Sequence, residues 1–152
     1  MSILGGMTRW LPWAGMVLIS VAWTEPVQAS ELKVEAVLIW GTNGPKPSDA
    51  NLKPVDKATA ERLKSFAVWK NYYEVRRKRA VIPSRSSGKI RMSDECEVEI
   101  TELEGPWVEY QLIGRGKPVN KTKANFVKGD ALVIGGADKD KTAWFVVLTL
   151  LE

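Results

Sequence analysis

Apolar and polar positions change their period twice along this chain. Leu32 to Trp40 (LKVEAVLIW) starts by alternating and ends in a continuous apolar run of β-formers, which predicts a strand covered on both faces and central in its sheet. The next 14 positions, GTNGPKPSDANLKP, concentrate Gly, Pro, Asn and Ser and predict a long loop. From Asp56 or Thr59 the spacing shifts towards 3.6, with Ala60, Leu63, Phe66 and Ala67 on one side and Glu61, Arg62 and Lys64 on the other. That predicts one helix of about three turns, needing a sheet to cover its apolar stripe.

Beyond Tyr72 the period becomes two. Tyr73, Val75 and Val81 share one predicted face, followed by Ile90 and Met92, then by Cys96, Val98 and Ile100. Val108, Tyr110 and Leu112 alternate with Glu109 and Gln111. The segments PSRSSG, Gly105-Pro106 and Gly114 to Gly116 read as turns between these strands. Val119 to Phe126 and Ala131 to Ile134 continue the series. Trp144 to Leu151 (WFVVLTLL) is apolar at nearly every residue and, like the first strand, is expected to be buried on both sides. The fold expected is mainly β, of the α+β kind: an antiparallel β-sandwich or curled sheet of about eight strands with one short helix packed on it.

The N-terminus has a different pattern. Arg9 precedes an uncharged run, WLPWAGMVLISVAW, and Val27-Gln28-Ala29 then places small residues where a signal peptidase reads. The run has 14 residues, short of the roughly 20 that cross a bilayer as a helix. Residues 1–29 are therefore expected to be a signal peptide cleaved before Ser30, with an uncleaved anchor as the competing reading. No Cys stands near the cleavage point for a lipoprotein. Removing 29 of the 152 residues leaves 123, the size of one domain, covering 30–152. The expected location is the periplasm or the extracellular space, with a mature form that does not span a membrane.

The layout resembles that of small exported bacterial domains to which no activity is assigned. The resemblance lies in Phe66, Trp69 and Tyr72 to Tyr73 after the helix, Leu132 to Gly136 (LVIGG), and Thr142 to Leu148 in the closing strand. It implies the same topology and transfers no functional residues.

Composition narrows the chemistry. Histidine is absent and Cys96 is the only cysteine, which removes Ser-His-Asp and Cys-His nucleophile systems, thiolate zinc sites and an internal disulfide. Cys96 alternates with Val98 and Ile100 and is expected to be a small buried apolar residue. Glu95, Glu97 and Glu99 fall on the opposite, solvent-facing side of the same strand, which argues against a glycosidase-type carboxylate pair. Neither Gly41 to Gly44 nor Gly114 to Gly116 has phosphate-loop spacing. No catalytic residue, metal site or cofactor is expected. The net charge of +4 is mild, and nucleic acid is not an expected partner.

Two contact features remain. Arg76, Arg77, Lys78 and Arg79 form the densest basic run; alternation divides them between two faces, and the acidic strand Glu95 to Glu99 is their expected ladder partner. Trp40 and Trp144 lie in the strands expected to be buried, and Trp69 closes the helix stripe. Trp107 falls with Glu109 and Gln111 and is the best candidate for an exposed contact. The expected function is a non-catalytic envelope or secreted module that binds another protein through a sheet edge or Trp107. The alternatives are a binder of anionic glycan or cell-wall polymer using Arg76 to Arg79 with Trp107, and a His-free enzyme.

Overall fold

A computed structural model describes residues 31–49, 51–65, 68–137 and 140–152. The signal peptide assigned to residues 1–29, the cleavage point before Ser30, and Phe66 and Ala67 of the helix stripe lie outside the described residues. The elements run β1 (Leu32–Thr42), β2 (Lys53–Pro54), α1 (Lys57–Lys64), β3 (Asn71–Ile82), β4 (Ser87–Arg91) and β5 (Cys96–Glu102). They continue as β6 (Trp107–Gly114), β7 (Lys117–Asn125), β8 (Ala131–Ala137) and β9 (Ala143–Leu150).

The strands form two antiparallel sheets: a five-stranded one ordered β2-β3-β1-β9-β8 and a four-stranded meander ordered β4-β5-β6-β7. The chain crosses between them after β3 and returns after β7. Arg115 and Gly116 both take positive φ, 50° and 74°, the backbone of the tight hairpin turn that matches strand twist between β6 and β7.

Inward-facing side chains of both sheets make one core, in which Val34, Ala36 and Leu38 of β1 meet Val98 and Ile100 of β5 and Val108 of β6. The opposite face of the five-stranded sheet carries Val37, Ile39, Phe145 and Val147, and α1 covers it with Leu63. This explains the unbroken apolar runs of β1 and β9: both have two buried faces, as their composition predicts. The layers are thus helix, five-stranded sheet and four-stranded sheet.

Several expectations change. The helix has two turns, not three; Asp56 caps its N-terminus by accepting from the Thr59 backbone N–H at 2.9 Å. Trp69 lies beyond the helix, half-buried against the outer core, with its indole N–H donated to the Lys141 carbonyl at 3.0 Å. Val81 is exposed and does not share a face with Tyr73, because the register of β3 against β1 slips between Leu38 and Ile39 and Val75 is the extra residue. A single bulge reverses the parity of every position after it, so Ala80 and Ile82 face the core instead.

Candidate functional site

The inner-face rows of the two sheets change character at one end of the sandwich. On the five-stranded sheet, β1 passes from Leu38 to Trp40, β9 from Val146 to Trp144, and β8 from Ile134 to Gly136. On the meander, β5 passes from Val98 to Cys96 and β6 from Leu112 to Gly114. Large rings on one sheet therefore stand where the other has a thiol and a glycine. A filled sandwich core needs volume from both layers, and here one layer supplies little.

The result is a cleft of about 650 Å³. Leu38, Val75 and Trp144 wall it on one side, and Cys96, Leu112 and Val119 on the other. Ser93, Asp94, Glu95 and Arg115 stand at its polar rim. The rim charges neutralise one another, with Arg115 Nε 3.3 Å from Glu95 and Arg91 3.1 Å from Asp94. Gly136 and Trp144 are register partners, and a Cβ added at Gly136 would meet nothing within 4 Å. The glycine thereby leaves the Trp144 side chain uncovered, and Trp144 is 39% exposed. Trp40 lies between Trp144 and Tyr73, its ring centroid 6.4 and 6.2 Å from theirs. The three rings form an aromatic row across β9, β1 and β3, with pair spacings within the range favourable for aromatic contacts.

Cys96 is half-buried at this wall, not enclosed in the core as its alternation suggests, and burial pushes its thiol up to about 11. It stays protonated near neutrality and lines the cleft as a soft apolar group. Trp40 and Trp144 likewise depart from the expectation of full burial. Both sit in double-faced strands, but at the end where the meander no longer covers them.

The residues predicted to form a contact site are not brought together. Trp107 is 49% exposed on the outer side of the meander, seven residues from Gly114 along β6, about 23 Å at the usual strand rise. The basic run lies on β3, whose outer edge is paired among the described residues only by Lys53 and Pro54, against Glu74 and Tyr73. Arg76, Arg77, Lys78 and Arg79 are all exposed there. Their partners are not the acidic strand: Glu35 of β1 bonds Arg77, and accepts from Arg79 Nε at 2.9 Å, while Glu74 lies 2.7 Å from Arg77. β3 pairs with β1 and β2, so the meander's acids find other bases, Glu97 meeting Lys89 at 3.6 Å. Arg76 and Lys78 make no ion pair among the described residues. Charges on an open edge strand are also a common guard against edge-to-edge association.

Among the described residues, no group of three or more Cys, Asp or Glu is placed to hold a metal ion, and no helix is long and apolar enough to cross a membrane. The cleft was the feature missed from sequence. Its signal is present, in Cys96, Gly114 and Gly136 each standing two positions from a larger residue on its strand, but it has meaning only once the register aligns those positions. Comparison with protein-family models, curated proteins and solved structures finds no match.

Proposed function

We propose that this domain is an exported, non-catalytic binding module that receives an apolar or aromatic side chain of an envelope or extracellular protein in the cleft between its sheets. The observation that carries this reading is the exposed Trp144 indole beside Gly136, at an apolar wall bordered on the meander side by paired charges. An apolar centre with a polar rim is the usual layout of a protein-contact hot spot. It replaces Trp107 as the centre of the proposed contact.

Site-directed photo-crosslinking tests the proposal. Val119, 58% exposed at the cleft, is replaced by p-benzoylphenylalanine, with Trp107 and Lys78 replaced in parallel. Adducts to a second protein are expected from position 119 and not from the other two. Gly136→Leu, which fills open space, should remove the adduct while the thermal midpoint stays at or above the parent value. Adducts from position 107 or 78 alone, or from none of the three, overturn it.

One observation supports the second reading, an anionic glycan or cell-wall polymer: Arg76 and Lys78 are exposed and share a side of β3 by register. That reading predicts salt-sensitive retention on a polygalacturonate column, lost in the Arg76→Ala, Lys78→Ala double variant.

A further inference from the structure

The edges of the two sheets are not alike. At one end of the five-stranded sheet stand β2, which is Lys53 and Pro54, and the open part of β3, which carries Arg76 to Arg79. The meander ends in β4 with Lys89 and Arg91 and in β7 with Lys117, Pro118, Lys121 and Lys123. Each of these is guarded by charge, and two of them also by proline, the devices that keep an edge from pairing with another chain. The remaining edge is β8, Ala-Leu-Val-Ile-Gly-Gly-Ala, which has neither and pairs only with β9 among the described residues.

We propose that β8 pairs with β8 of a second copy, antiparallel about a two-fold axis at Ile134, so that two five-stranded sheets become continuous. The charge pattern selects the occupant. Self-pairing of β3, β4 or β7 would gather like charges along the joint, whereas β8 brings none together. The size pattern selects the register. Centring on Ile134 sets Leu132 opposite Gly136 of the second copy and Val133 opposite its Gly135. The branched half of each strand then fills the bare half of the other, and positions that face the same side of the sheet meet. Gly135 has an internal reason to be glycine, because a Cβ there would run into the Trp144 carbonyl oxygen and the Phe145 ring. Gly136 has no such reason, since a Cβ would meet nothing within 4 Å, and an exposed strand glycine is often where another backbone approaches. This joint shares Gly136 with the cleft wall, and its test therefore uses Val133, which does not line the cleft.

Sedimentation velocity on the exported chain over a concentration series, with amide exchange at the two ends of the series, tests the proposal. A reversible dimer is expected, with protection rising with concentration in residues 131–137 and unchanged in 76–82. Val133→Lys should weaken association by about tenfold or more, because it places a charge at the joint. A chain that remains monomeric throughout, including one that adds a foreign strand in place of its own copy, overturns the proposal. A dimer whose protection appears on β3, β4 or β7 does so too. The exchange measurement uses the unaltered chain, so it decides the matter even if the Val133 variant fails to fold.

Discussion

Ile82, the last residue of β3, packs directly over the α-carbon of Gly88 in β4, so that a Cβ at Gly88 would collide with the isoleucine side chain. The contact is the point where the chain leaves one sheet and enters the other. Ile82 is 1% exposed and inside the core, so it has no free direction in which to move. Gly88→Ala is expected to cost about 1–3 kcal/mol by overpacking, read as a lower thermal midpoint. Gly136→Ala, with open space around it, should leave the midpoint nearly unchanged.

Glu35 gives the fold an acid sensitivity. Burial raises its carboxyl, but bonds and charges from Arg79 and Arg77 outweigh that and hold it below the usual carboxylate range. A folded-state value below the unfolded one contributes stability that is present above the unfolded value and lost as pH falls through the folded one. Stability should therefore decline below about pH 4.5, the ordinary value for this group. Glu35→Gln should flatten that part of the profile and cost about 1 kcal/mol at neutral pH, measured by urea unfolding across pH.

Asp56 tests the helix layer. Its carboxylate accepts from the backbone N–H and the hydroxyl of Thr59, which lowers its pKa. Asp56→Ala removes the cap and should cost about 1 kcal/mol, whereas Leu63→Ala, at a fully buried position, should cost about 2–5 kcal/mol. Amide exchange should locate the first loss in α1 and the second across the outer face of the five-stranded sheet.

Cys96 reports on the cleft. With its thiol pushed up to about 11 by burial, alkylation by iodoacetamide should be slow at pH 8 and accelerate steeply towards pH 11, because the thiolate is the reacting form. A bound partner side chain should slow it further. Rapid labelling at pH 7 would mean that the thiol is not sheltered by this wall.

Much of the sandwich was legible because period-two alternation and continuous apolar runs report directly on how many faces of a strand are covered. β1 and β9 announced their central positions in this way. The inner row of β6 was equally plain in Val108, Tyr110 and Leu112. What failed was whatever depended on pairing. The bulge at Val75 reversed the side on which Val81 stands, and no composition signal marks it. The basic run took its partners from β1, because local charge patterns do not say which strand will be the neighbour. The cleft required three strands to be aligned before Cys96, Gly114 and Gly136 became one feature.

The central position of β1 also sets an order of events. The meander of β4 to β7 is joined by short turns and can form from neighbouring sequence alone. β1 can pair with β3 first, but its other edge must wait for β9, since Val34 pairs with Leu150 from opposite ends of the domain. Pairings of such wide sequence separation close slowly, so the meander should be the early-folding unit and the five-stranded sheet the late one. A chain cut before Ala143 would not be a slightly smaller version of this domain. It would keep β1 paired with β3 but leave the other edge of β1, apolar on both sides, open to any strand that came near.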